Sequence, residues 1–177
     1  MTTRYRANQN ELKPAVPFIF LSHGGAQSFD TTGYHLWDDI KIKTSHFTYT
    51  ASQDKVTLQT NSSGLYMVEF DCTFQNNDPS EELTVTTVLH KNGSELNDSE
   101  SSFQFTSAGQ TALKCGLNIH YIVYLEKGDY LQVYTISNDG EILTAPGTCR
   151  LAIQFIPMQG WDNSAAGRTD YKGGVMR

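Results

Sequence analysis

The sequence predicts an all-β chain whose two antiparallel sheets pack as a sandwich, and three observations carry that prediction. Gly64 to Phe74, GLYMVEFDCTF, alternates with a period of two: Tyr66, Val68, Phe70, Cys72 and Phe74 point one way, Met67, Glu69, Asp71 and Thr73 the other. The same alternation returns in later stretches, each bounded by a turn signal. Helical periodicity is nearly absent, because glycine and β-branched residues interrupt every longer window with a 3.6-residue repeat.

Residues 1 to 13 are polar and follow neither period, so they read as an arm. Ala15 to Ser22, bracketed by Pro14 and Pro17, reads as an edge strand, where a missing N–H is tolerated, and Gly24-Gly25 breaks it. Trp37 with Ile40 and Ile42 suggests a short strand, and Phe47 to Thr60, rich in Thr and Val, a further pair. Gly64 to Phe74 buries its apolar face; Met67 beside two carboxylates suggests a partner on the other face. Leu83 to Leu89 runs into the hairpin dipeptide Asn92-Gly93.

Ile119, Tyr121, Val123 and Leu125 alternate up to Glu126-Lys127-Gly128-Asp129. Leu131, Val133 and Thr135 alternate beyond that turn as far as Asn138-Asp139-Gly140, so the two runs are expected to pair as a hairpin. Cys149, Leu151, Ile153 and Phe155 form the last strand, which Pro157 stops because it has no N–H to donate. The remainder is glycine-rich and polar, a tail unable to build a core. The expected organisation is an N-terminal arm (1–13), one β domain (14–157) and a C-terminal docking tail (158–177).

A chain of 177 residues can close a two-sheet core without staples. Its three cysteines, Cys72, Cys115 and Cys149, are spaced too widely for a zinc motif and fall on or beside the apolar parity of strands. They read as buried thiols, with one disulfide as the alternative. The N-terminus has no apolar signal core and no run is long enough to cross a bilayer, so the chain is expected to be made in a cytoplasm and to stay soluble. The sequons at Asn61, Asn92 and Asn97 then read as turn residues. A net charge of −6 disfavours nucleic acid and anionic lipid as partners. Basic residues crowd both ends while acid dominates the middle, which suggests ends that dock on an acidic surface.

No catalytic constellation is legible. The five histidines, His23, His35, His46, His90 and His120, stand singly, without metal-ligand or nucleophile-elbow spacing around them. The acidic stretches Asp38-Asp39, Glu81-Glu82 and Glu95 to Glu100 lack the spacing of a calcium loop and read as solvated loops. Neither enzymatic activity nor a cofactor or metal is expected. Tyr124, Tyr130 and Tyr134 take the parity opposite to Leu125, Leu131 and Val133, so they are expected at the surface, as interface residues or as platforms for sugars.

Gly64-Leu65-Tyr66, Val88-Leu89-His90-Lys91-Asn92-Gly93, Val123-Tyr124-Leu125-Glu126-Lys127-Gly128-Asp129 and a final apolar strand ending at Phe155 carry a resemblance. In order and spacing, Phe18 to Ile156 resembles the jelly roll shared by the tumour-necrosis-factor family and the complement globular heads. The resemblance implies a homotrimer about a threefold axis. Lacking a collagen-like run or an anchor, the chain is more similar to a virion protein of a tailed bacteriophage, synthesised in the host cytoplasm and carried on the capsid surface.

The expected function is a homotrimeric capsid decoration, or cement, module bound to the major capsid protein or another virion protein. The alternative is a fibre or spike tip that recognises host surface glycans. Met67, Glu69, Asp71, His120, Ile122, Tyr124, Arg150 and Ile156 are the expected trimer interface, with Arg150 and His120 compensating the two carboxylates. Arg4, Arg6, Trp161, Arg168, Tyr171, Lys172 and Arg177 are the expected capsid-docking residues, basic groups and aromatic anchors on the two ends.

Overall fold

The computed structural model describes residues 16–76, 82–105, 113–138 and 140–157. The strands in chain order are β1 (Phe18–His23), β2 (Ser28–Phe29), β3 (Thr32–Tyr34), β4 (Asp39–Lys43), β5 (Phe47–Thr48), β6 (Val56–Leu58) and β7 (Gly64–Asn76). There follow β8 (Leu83–Lys91), β9 (Ser94–Glu95), β10 (Ser101–Phe105), β11 (Lys114–Leu125), β12 (Tyr130–Ser137), β13 (Ile142–Thr144) and β14 (Cys149–Phe155). The described residues contain no helix, and every pairing between these strands is antiparallel.

The first sheet runs β4, β1, β14, β7, β11, with β13 continuing the β7 edge beyond β14 and β2 beside β13. The second runs β10, β8, β12, β6, β5, with β3 on β12 and β9 on β8. β7 is the spine: one edge carries β11 from Gly64↔Leu125 to Gln75↔Lys114, and the other carries β14 and then β13. Its period of two is complete, since Tyr66, Val68, Phe70 and Phe74 are buried while their neighbours face outward. Those rings meet edge to face, Tyr66 against Phe155 at 5.3 Å and Phe47 at 5.9 Å. Burial pushes the Tyr66 phenol up, and its hydroxyl donates to Ser62 O at 2.6 Å.

Two expectations are corrected. The first strand is not an edge strand: β1 starts after Pro17 and is paired by β14 on one side and β4 on the other. The runs flanking Glu126–Asp129 do not form a hairpin: β11 pairs with β7 in the first sheet and β12 with β8 in the second. The corner carries the chain across the sandwich. Gly128 takes φ +93 and donates its N–H to Leu58 O at 2.7 Å, so the turn, closed on itself by Asp129 N–H to Glu126 O at 3.0 Å, is also bonded to β6. Asn92-Gly93 behaves as expected, with φ values of 55 and 81 joining β8 to β9.

Gly64 explains why the Gly-x-Tyr opening of β7 needs its glycine. A Cβ there would lie 2.7 Å from Phe155 Cε2, inside the buried end of the core. Gly64→Ala is therefore expected to lower stability by about 1–3 kcal/mol through overpacking, read as a drop in the urea midpoint at unchanged slope. An unchanged midpoint would mean that Phe155 can shift freely.

Candidate functional site on the outward face of the first sheet

Antiparallel pairing converts the outward residues of the first sheet into rows that cross it. At one end Tyr124 opposes Leu65, and Ile156 joins them by donating its N–H to Leu65 O at 2.8 Å. The next row is Ile122, Met67, Gln154 and Phe18; then come His120, Glu69, Ala152, Phe20 and Ile42; then Asn118, Asp71, Arg150, Ser22 and Asp39. One end is thus apolar and the other charged.

The apolar end is open. Ile122 is 58% and Tyr124 50% exposed, with Met67, Leu65 and Ile156 half-buried beside them. At the far edge Ile42 is 55% exposed, opposite Phe20 on the outward face of the edge strand β4. Scattered surface isoleucines are ordinary; a contiguous group across paired strands marks a contact surface.

The eight interface residues predicted from sequence all lie on this face. His120 Nδ1 comes within 3.6 Å of Glu69 Oε1, both side chains well exposed. Arg150 sits across the ladder from Asp71, yet the described residues give it no ion pair. On one exposed protomer the ordering of a long side chain offsets the screened attraction, which removes the driving force for that pair. Arg150 instead lines a hollow of about 460 Å³ together with Phe20, His23, Asp39, Lys41 and Ile42. The expected docking residues Arg4, Arg6, Trp161, Arg168, Tyr171, Lys172 and Arg177 lie outside the described residues.

A second surface feature was only partly legible. Tyr124 is exposed, but Tyr130 and Tyr134 are half-buried. Tyr134 packs on Tyr34 at 4.7 Å and on His90 at 4.9 Å, and Tyr34 Oη lies 3.1 Å from His90 Nδ1. Burial lowers the His90 pKa, with Glu95 opposing it. The ring is therefore neutral near pH 7 and free to accept from the tyrosine. Lys55 covers Tyr130, its Nζ 4.7 Å from the ring centre. These aromatics satisfy one another on the outside of the second sheet. Parity identified Tyr130 and Tyr134 but not Tyr34 or His90, which reach the cluster from other strands.

Comparison with solved structures agrees with the architecture. The chain is similar to Eiger TNF from S. frugiperda, at 16% identity and a TM-score of 0.57 over 81% of this chain and 96% of that one. It is also similar to murine APRIL at pH 8.5, at 14% identity and a TM-score of 0.53 over 80% of this chain and all of the other. The pH 5.0 structure of murine APRIL gives 12% identity and a TM-score of 0.52. No family model and no curated protein sequence matches the chain. At these identities the likeness concerns fold and not function: two antiparallel sheets arranged as a TNF-like jelly roll.

Proposed function

We propose that the chain is a non-enzymatic structural module, a homotrimer that joins through the outward face of the first sheet and decorates a virion surface through its two ends. The observation that carries the trimer is the contiguous apolar end of that face, where Ile122 and Tyr124 stand exposed beside Met67, Leu65 and Ile156. Three copies around an axis would cover it, leaving the charged rows toward the rim. The virion role rests on sequence character: both ends are polar with basic and aromatic residues, and ordering such segments requires a partner surface. The partner is the major capsid protein or another virion protein, the place of synthesis the host cytoplasm and the final location the capsid surface.

A receptor-binding tip is the second reading, favoured by the Tyr34, His90 and Tyr134 cluster, whose rings suit stacking on sugars. A chain lacking residues 158–177 separates the two. The cement role expects a soluble trimer that no longer adds to emptied, expanded capsids, while the full chain saturates them. Full capsid occupancy by the shortened trimer, or loss of host-cell adhesion alone, would favour the tip.

A further inference from the structure

Three side chains that the outward face does not use meet inside the sandwich. His35 is fully buried, and Cys72 and Cys149 are 3% and 1% exposed. Their donor atoms, one ring nitrogen and two sulfurs, all lie within 4.8 Å of one another, with Cys149 Sγ 3.9 Å from His35 Nδ1. Strand register creates the arrangement. Arg150 opposes Asp71, so antiparallel pairing sets Cys149 against Cys72, and both belong to the core-facing parity.

His35 arrives from the second sheet. Its N–H donates to Val133 O at 2.9 Å, and its ring is held between Phe29 at 4.8 Å and Phe70 at 4.9 Å. Nε2 lies 2.7 Å from Thr135 Oγ1, which lies 2.8 Å from Thr87 Oγ1. We assign Nε2–H as the donor to Thr135, whose own hydroxyl donates to Thr87. The lone pair of Nδ1 then faces the sulfurs, the orientation that a hydrogen bond on the far nitrogen imposes on a metal-binding histidine.

We propose that His35 Nδ1, Cys72 Sγ and Cys149 Sγ bind one thiophilic closed-shell cation, Zn²⁺ or Cu⁺, as a structural site in the core. The donor types and distances carry it. Bonds of about 2.3 Å to sulfur and about 2.0 Å to nitrogen, at tetrahedral or trigonal angles, separate donors by about 3.5–4.0 Å. The nitrogen–sulfur distance of 3.9 Å already falls there. Two thiolates and a neutral imidazole offset the charge of Zn²⁺ completely, which suits a dry interior, and the same soft donors suit three-coordinate Cu⁺. Burial of all three donors fits a structural role; three donors complete the shell of Cu⁺, whereas Zn²⁺ would take a fourth, non-protein ligand. Cys115, which is only partly buried and has no part in the cluster, serves as an internal control.

The test loads the reduced full chain with Zn²⁺, and separately with Cu⁺ under anaerobic conditions, then counts metal per chain after gel filtration. Co²⁺ substitution adds a readout through its thiolate charge-transfer band. About one ion per chain, a visible thiolate–cobalt spectrum and a raised thermal midpoint are expected. Cys149→Ser and His35→Gln should weaken retention by roughly tenfold or more, whereas Cys115→Ser should retain the ion. Because core variants can misfold, the wild-type measurements stand alone. A folded wild-type chain that retains neither ion and shows no thiolate–cobalt band would overturn the site. So would a native Cys72–Cys149 disulfide, or retention that depends on Cys115.

Discussion

Ile122→Asp combined with Tyr124→Asp is expected to turn the proposed trimer into a monomer while leaving the β spectrum and core intact. Both side chains are at least half exposed on the single chain, at 58% and 50%, so replacing them there should change protomer stability by under about 0.5 kcal/mol each. In the trimer the same positions would be covered, and each new carboxylate would have to leave water without a partner, at several kcal/mol per ion. A loss of about 4 kcal/mol weakens association about a thousandfold. Light scattering at micromolar concentration reads the outcome, with Tyr124→Phe as the conservative comparison. A wild-type chain that is monomeric under these conditions, or a double variant that stays trimeric, would remove the basis for the proposed interface.

The strands and their faces were legible because a half-buried strand writes its environment into a period of two. β7 shows this from Gly64 to Asn76, and β14 repeats it with Cys149, Leu151, Ile153 and Phe155 buried. The outward surface followed from the same parity, since any residue between two core residues must face away from the core. Long-range placement was less legible. Parity says which way β11 and β12 face but not which sheet each joins, so their junction resembled a hairpin although it crosses the sandwich.

The interior cluster was hidden for a related reason. Cys72 and Cys149 carried the correct parity, but only the neighbourhood of β7 and β14 sets them face to face. His35 lies just beyond the three residues of β3 and has no periodic signal of its own. Spacing along the chain therefore said nothing about a donor set assembled by topology. The acidic corner at Asp129 was half legible, because Gly-Asp reads as a turn while the partners of its carboxylate, Lys91 and Asn92, lie far along the chain.

Asp129→Ala is expected to be among the most destabilising single changes at the surface, at about 3 kcal/mol, because one carboxylate ties three connections together. Its Oδ1 accepts from Asn92 Nδ2 at 2.7 Å; Oδ2 meets Lys91 Nζ at 2.8 Å and accepts the Glu126 N–H at 2.8 Å. Its backbone carbonyl accepts from Leu58 N at 2.9 Å, so the β8–β9 hairpin, the β11–β12 corner and β6 converge on it. Burial by itself raises this carboxyl's pKa, but the bonds from Lys91, Asn92 and Glu126 outweigh it and hold the value below the ordinary one. Because the folded value lies below the unfolded one, the contribution is complete above roughly pH 4 and is lost as pH falls through the folded value. Unfolding free energies from urea titrations should therefore differ between wild type and Asp129→Asn at pH 7, and the gap should narrow as the pH drops below about 4. Asparagine keeps the size of the side chain while removing the charge, so it separates electrostatics from packing. A gap unchanged between pH 7 and pH 3, or no gap at pH 7, would show that the corner is held by its backbone bonds and not by the carboxylate.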